Sequence, residues 1–219
     1  MSRPIKYEDD VLLESLRATF LELGPAATSA ELARRAGVSE GTLFKRFGTK
    51  RRLFELAMHI SPIEEQPWFQ SMLDRAGQGS LRTNLAELAH SLMAYIAETM
   101  PILETLMTSG FKAREVHELM GEKEQEPPPL VLQRRFEKYL EREMRLGRMR
   151  SVDSRTLADL LLGPCFKYAH LQAHFPGQLG NETAEHAAQR IAGLLVELTA
   201  PTAAPNLARS SGSGARKAR

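Results

Sequence analysis

The sequence predicts an all-α protein with an N-terminal helix-turn-helix head and a larger helical body. Apolar residues recur at helical spacing through most of the chain, and no alternating run rich in Val, Ile and aromatic residues indicates a strand. The 219 residues, 42% apolar and 26% charged, suffice for a buried core. We expect a head over residues 1–59, a body over residues 60–200 and a disordered basic tail over residues 201–219.

Four helices are predicted in the head. The first, over residues 10–23, carries Leu12, Leu16 and Phe20 on one face and ends at Gly24. Three short helices follow, over residues 29–36, 40–47 and 50–59.

The second and third helices have the pattern of a helix-turn-helix. Thr28 and Glu31 stand at the S/T-x-x-E spacing of a capping box, which begins a helix. Gly37 suits the tight turn that follows, because glycine adopts a positive φ without strain. Ser39 is placed to cap the third helix.

The third helix is predicted to bury one face and to expose small, polar and basic residues on the other. Leu43 and Phe47, at i and i+4, would point inward. The side chains left outside are Glu40, Gly41, Thr42, Lys45 and Arg46. Such a helix is suited to lie in the major groove of DNA.

The fourth helix begins with three cations, Lys50, Arg51 and Arg52, and we expect no local acid to pair with them. A cation at a helix N-terminus opposes the helix dipole, at a cost of about 0.3–1 kcal/mol. Free backbone N–H groups and these cations would together bind an anion such as a DNA phosphate. A solvated run of charges is the alternative.

Long amphipathic helices are predicted in the body, after a connection that contains Pro62 and Pro67. They cover residues 80–99, 101–108, 110–120, 130–146, 153–174 (bent near Gly163-Pro164) and 182–199, with loops at 122–129 and 176–180.

Metal, cofactor and catalytic sites are not expected. Cys165 is the only cysteine, which excludes an intramolecular disulfide and a cysteine-based metal cluster. His170 and His174 stand four residues apart, a spacing that could place two imidazoles on one metal, but the sequence offers no third ligand. We find no phosphate loop, dinucleotide fingerprint or nucleophile elbow, so we expect no enzyme.

Targeting signals are also not evident. The N-terminus lacks the apolar run of a signal peptide, and no stretch reaches the roughly 18 apolar residues of a membrane span. We therefore expect a cytoplasmic protein that is not bound to a membrane.

The segment AELARRAGVSEGTLFKRFGTKRRLFELAM, residues 30–58, resembles the DNA-binding domain of the TetR/AcrR family of bacterial repressors. The likeness is strong over about residues 8–58 and only architectural beyond them. The matching positions are Thr28, Leu32-Ala33, Ala36-Gly37-Val38-Ser39, Thr42-Leu43-Phe44, Phe47 and Lys50.

This resemblance implies a role for each matching position. Where members contact phosphates, this chain has Thr28, Phe44, Arg46 and Lys50; where members face base edges or flanking phosphates, it has Ser39, Glu40, Gly41, Thr42 and Lys45. Phe44 replaces the usual Tyr and so lacks a hydroxyl, for which Arg51 and Arg52 could compensate. Glu40 could accept from a cytosine amino group or stabilise the helix N-terminus.

For the body, the resemblance implies a homodimer in which the last two long helices of each subunit form a four-helix bundle. The predicted interface consists of Leu157, Leu161, Cys165, Tyr168, Ile191 and Leu195, although an ordinary core helix would show the same periodicity.

The resemblance also implies a ligand pocket inside the body. Met93, Met100, Met107, Phe111 and Met120 could line it, because methionine adapts to irregular apolar shapes; core packing is the alternative. We therefore predict a repressor that binds a palindromic operator in double-stranded DNA as a dimer and is released by a small apolar or amphipathic effector. A helical protein-interaction module, or an activator without a small-molecule effector, is the alternative.

Overall fold

The computed structural model describes residues 7–24, 26–59, 61–108 and 127–201. Across these ranges the chain forms α-helices and short 3-10 turns and no strand, which confirms the predicted all-α class, and no helix among them is long and apolar enough to span a bilayer. The helices are α1 (Tyr7–Leu23), α2 (Ser29–Arg35), α3 (Glu40–Phe47), α4 (Lys50–Ala57), α5 (Pro67–Ser71), α6 (Leu81–Thr108), α7 (Pro128–Arg145), α8 (Ser154–His174) and α9 (Ala184–Leu198). The helix predicted over 110–120 and the tail beyond residue 201 lie outside the described residues.

Helices α1 to α4 enclose one hydrophobic cluster, here called the head core. Leu16, Leu32 and Leu43 are fully buried in it. The rings of Phe20 and Phe54 meet edge to face, with centroids 4.8 Å apart, which is a favourable geometry for aromatic pairs. The same cluster also holds Ile102 and Leu106 from the end of α6. The head core is therefore completed by a helix that begins in the body.

The long helix α6 connects the head core to a second cluster, the body core. Its first part buries Leu85, Leu88 and Leu92 in the body core, against α8 and α9. The prediction of two separate helices meeting at Pro101 was wrong, because α6 continues through that proline. A proline removes one backbone donor, and packing at both ends of this helix offsets that loss.

Polar contacts strengthen the attachment of the head to α6. The guanidinium of Arg17, on α1, donates to the carbonyl oxygen of Ala57 at 2.9 Å and to that of His59 at 2.6 Å. It also lies 3.8 Å from the carboxylate of Glu98 on α6. These contacts fix α1, the end of α4 and the middle of α6 relative to one another.

In the body, a buried carboxylate on α7 connects this helix to the turn before α6. Glu143 accepts from the Tyr139 hydroxyl at 2.8 Å and from the backbone N–H of Gly77 at 3.3 Å, and it pairs with Arg148 at 3.3 Å. Burial and the hydrogen bond to Glu143 raise the pKa of Tyr139. A buried charge is costly unless it is paired, and this network supplies its partners.

Several predicted boundaries move by a few residues. The predicted end of the loop over 122–129 was wrong, because α7 already begins at Pro128. Proline is tolerated at the first positions of a helix, where the backbone N–H has no partner within the helix. Asp153 and Thr183 cap α8 and α9, and α8 continues through Pro164. The connection between α4 and α6 contains α5 and two 3-10 turns that the sequence did not indicate.

Leu106→Ala should destabilise the head strongly, because its side chain is fully buried in the head core although it belongs to α6. We expect the free energy of unfolding to fall by about 2–5 kcal/mol in chemical denaturation. The matched control is Met107→Ala, one residue along and 67% exposed, which should change it by about 0.5 kcal/mol or less. Equal effects of the two substitutions would show that the end of α6 does not pack into the head.

Candidate nucleic-acid interface

The two helices of the helix-turn-helix begin at side-chain caps. Thr28 and Glu31 form a reciprocal capping box: the Glu31 N–H donates to the Thr28 hydroxyl at 3.2 Å, and the Thr28 N–H donates to the Glu31 carboxylate at 2.9 Å. The Thr28 hydroxyl also donates to the Glu31 carboxylate, at 2.7 Å, and the two hydrogen bonds that this carboxylate accepts from Thr28 lower the pKa of Glu31. Ser39 caps α3 by accepting from the Thr42 N–H at 3.1 Å. Local sequence thus determines where α2 and α3 start.

The orientation of α3 is set by one turn and two anchors. Gly37 has φ +69°, a left-handed conformation that glycine adopts at little cost. Leu43 and Phe47 are buried in the head core, as their spacing predicts. The opposite side of α3 is solvent-exposed and consists of Glu40, Gly41, Thr42, Lys45 and Arg46, with Ser39 exposed at its start.

The first turn of α3 is compact on its exposed side. The hydroxyls of Ser39 and Thr42 lie 2.8 Å apart and form a hydrogen bond. A Cβ placed on Gly41 would approach only the Ser39 hydroxyl, at 3.9 Å, so the fold itself leaves room for a side chain there. Gly41 is therefore not required by packing within the chain.

One cation on α3 is engaged inside the head. Arg46 forms an ion pair with Asp9 of α1, and Asp9 is only 8% exposed. The sequence places Arg46 among the outward-facing cations and does not indicate this partner, because Asp9 is distant in the chain. The pair fastens the start of α1 to the end of α3, in addition to any role of Arg46 outside the head.

The expectation that the cations at the start of α4 have no local acid was wrong for the two arginines. Arg51 lies 3.1 Å from the Glu55 carboxylate and Arg52 lies 3.4 Å from it. The i, i+4 spacing of Arg51 and Glu55 was the signal available in the sequence. Within the described part of the chain, neither Lys45 nor Lys50 forms an ion pair.

The interface thus comprises two adjacent elements: the exposed side of α3 and the N-terminus of α4. Thr49 caps α4 by accepting from the Arg52 N–H at 3.1 Å. Lys50 is partly buried beside this cap, and Phe44 is half-buried on α3 without a hydroxyl. This surface combines unpaired ammonium groups, small side chains and a helix N-terminus, which are the groups that bind phosphates and fit a groove.

The six residues predicted to form a dimer interface are buried inside a single chain. All six are buried in the body core of a single chain, because the more apolar stripes of α8 and α9 pack on α6; they are Leu157, Leu161, Cys165, Tyr168, Ile191 and Leu195. Burial raises the pKa of the Cys165 thiol to about 12, so the thiol is protonated and unreactive at neutral pH. The large apolar residues that these two helices expose are Leu160 (50%), Leu194 (56%) and Leu198 (49%).

The predicted pocket residues are dispersed. Met93 is buried, Met100 packs against the body core, and Met107 is 67% exposed, so Met107 does not line an enclosed pocket; Phe111 and Met120 lie outside the described residues. An open cleft of about 470 Å³ lies between α6, α8 and the segment before α9. Its lining includes Met93, Ala97, Tyr168, Gln172, Pro176 and Leu179.

Comparison with known proteins supports the assignment of the head. Residues 12–57 match the model of a family described as bacterial regulatory proteins, tetR family. The nucleoid occlusion factor SlmA of Marinobacter nauticus is 29% identical over 134 residues, which are 59% of this chain and 60% of that relative. The chain thus aligns with less than two thirds of the length of this curated relative.

Solved structures share the fold over nearly the whole chain. NalD, the secondary repressor of the MexAB-OprM multidrug efflux pump in Pseudomonas aeruginosa, is 18% identical with a TM-score of 0.55, covering 87% of this chain and 94% of NalD. SmeT, solved in complex with triclosan, is 18% identical with a TM-score of 0.57, covering 88% of this chain and 91% of SmeT. Residues 12–57 of this chain are thus similar to the tetR family of bacterial regulatory proteins, and the chain as a whole shares the fold of these solved structures.

Proposed function

We propose that the chain is a transcriptional repressor whose helix α3 enters the major groove of an operator. The observation that carries this proposal is the exposed side of α3, small at Gly41 and cationic at Lys45, next to the unpaired Lys50 at the start of α4. A groove of double-stranded DNA offers phosphates to the cations and base edges to the short side chains. We propose no reaction for the chain, because members of this family act by binding.

Phosphate contacts are assigned to Thr28, Phe44, Arg46, Lys50 and Arg51. Lys50 is the strongest candidate, because it pairs with no described residue and stands at the N-terminus of α4. Arg51 is 61% exposed in its ion pair with Glu55. An exposed pair of this kind contributes little stability, so Arg51 can exchange Glu55 for a phosphate.

Base recognition is assigned to the first turns of α3, that is to Ser39, Glu40, Gly41, Thr42 and Lys45. The bond between the Ser39 and Thr42 hydroxyls holds both groups at the start of the helix, the end that enters a groove in this motif. Gly41 lets the backbone approach the DNA closely, and Glu40 can accept from a cytosine amino group.

The homodimer that a palindromic operator requires is assigned to the exposed apolar side of α8 and α9. Leu160, Leu194 and Leu198 form this side, whereas the deeper leucines of both helices are committed to the body core. A two-fold axis there would place two heads on successive major grooves. The body would then serve dimerisation, and the head would serve recognition.

Release by a small apolar or amphipathic effector is assigned to the cleft that includes Met93 and Tyr168. Its volume of about 470 Å³ lies within the range of sites for small molecules. The cleft borders α6, whose far end packs in the head core, so a ligand preferring one position of α6 shifts the separation of the two heads. The triclosan complex of SmeT shows that a protein of this fold binds such a molecule.

Selection of bound duplexes from a random pool tests the proposal. We expect an inverted repeat whose half-site centres are separated by about one helical turn, roughly 10 base pairs, or a multiple of it. Binding should weaken steeply with added salt. A chain that enriches no duplex and ignores DNA at low ionic strength would instead be the helical interaction module.

Gly41→Ala should raise stability and lower DNA affinity. Alanine is favoured over glycine in a helix by up to about 1 kcal/mol, and the fold leaves space for its methyl group. The same methyl group would separate α3 from the DNA, so we expect the Kd for the selected duplex to rise at least tenfold. The Tm of the free variant should be higher than that of the unmodified chain. Unchanged affinity in the stabilised variant would place the DNA elsewhere.

Lys50→Ala should weaken binding to all duplexes by a similar factor and reduce the salt slope by about one. Lys138→Ala is the matched control, since Lys138 is exposed on α7 in the body. Fluorescence anisotropy over a series of salt concentrations measures both quantities. A loss confined to one sequence would contradict the assignment of Lys50 to a phosphate.

Leu194→Glu should convert the dimer into monomers, because a carboxylate would replace an apolar side chain at the proposed two-fold contact. Leu146→Glu, at a site 58% exposed after α7, is the control and should leave the dimer intact. Sedimentation velocity at micromolar concentration distinguishes the two species. A dimeric Leu194→Glu protein would refute this interface.

A further inference from the structure

Two histidines and a carboxylate converge where the end of α6 meets the end of α8. The ligand atoms of Glu104, His170 and His174 all lie within 4.8 Å of one another. Nε2 of His174 is 2.9 Å from Oε1 of Glu104, and the rings of His170 and His174 have centroids 4.6 Å apart. The sequence indicated the two histidines, but Glu104 is supplied by a helix distant in the chain.

We propose that these three residues bind one divalent transition-metal ion and that the ion bridges α6 to α8. Two imidazole nitrogens and one carboxylate oxygen are a ligand set that Zn²⁺ accepts in proteins. Imidazole ligands favour Zn²⁺, Ni²⁺, Co²⁺ and Cu²⁺ over Mg²⁺ and Ca²⁺, which prefer oxygen. The i, i+4 spacing places both rings on the same side of α8, toward Glu104.

Only a small rearrangement is needed for coordination. Bonds of about 2.0–2.2 Å would bring the ligand atoms to roughly 3–3.5 Å from one another, starting from separations of at most 4.8 Å. The side chains of His174 and Glu104 are 32% and 45% exposed, so they can rotate without disturbing the core. Their exposure also leaves a coordination position open to water.

The position of the site on α6 gives the ion a route to the head. Glu104 lies between Ile102 and Leu106, both of which are buried in the head core. A bound ion would hold this end of α6 against α8 and so restrict the movement of the head relative to the body. This consequence, unlike the binding site itself, rests on the proposed DNA-binding function.

Titration of the chelator-treated full-length protein with Zn²⁺, Ni²⁺ and Co²⁺ tests the site, by calorimetry and by the visible spectrum of bound Co²⁺. We expect one ion per chain, and at least a tenfold loss of affinity in His170→Ala, His174→Ala and Glu104→Gln. His90→Ala, an exposed histidine earlier on α6, is the control and should bind as the unmodified chain does. No binding, or equal binding by all variants, overturns the proposal.

A second measurement separates the site from the proposed function. The Kd for the selected duplex, with and without Zn²⁺, should change several-fold in the unmodified chain and not in His174→Ala. If the ion binds but the Kd is unchanged, the coupling to the head is refuted. If the chain binds no DNA at all, the proposed function fails, and the metal titration still decides the site.

Discussion

The shared use of α6 by two hydrophobic cores is the constraint on which the rest of the structure depends. Its first half is buried with α8 and α9, whereas Ile102 and Leu106 complete the core around α1 and α4. Because close-packed cores resist gradual deformation, α6 couples the packing of the head to the packing of the body. Arg17, which bonds to the end of α4 and lies near Glu98, reinforces this connection.

The head itself presents a surface in which internal ion pairs determine which charges remain available. Asp9 engages Arg46 and Glu55 engages two arginines, whereas Lys45 and Lys50 pair with no described residue. Electrostatic attraction to a polyanion is therefore concentrated along one side of α3 and the start of α4. The net charge of only +2 is no obstacle, because the local arrangement decides the interaction.

Local features of the head could be predicted from the sequence, and long-range features could not. The caps at Thr28 and Ser39 and the turn at Gly37 follow from neighbouring residues, so the helix-turn-helix was predicted correctly. The continuation of α6 through Pro101 depends on packing at both of its ends. The buried faces of α8 and α9 were not decided by periodicity, because each helix has apolar residues on more than one side, such as Leu161 in the core and Leu160 outside.

Amide hydrogen exchange of the full-length chain, with and without the selected duplex, tests the central claim most directly. Slower exchange on DNA binding should concentrate at the first turns of α3 and α4, with a smaller change at the end of α6 where it packs in the head core. Protection confined to the body helices, or none in α3, would contradict both the assigned interface and the linkage through α6.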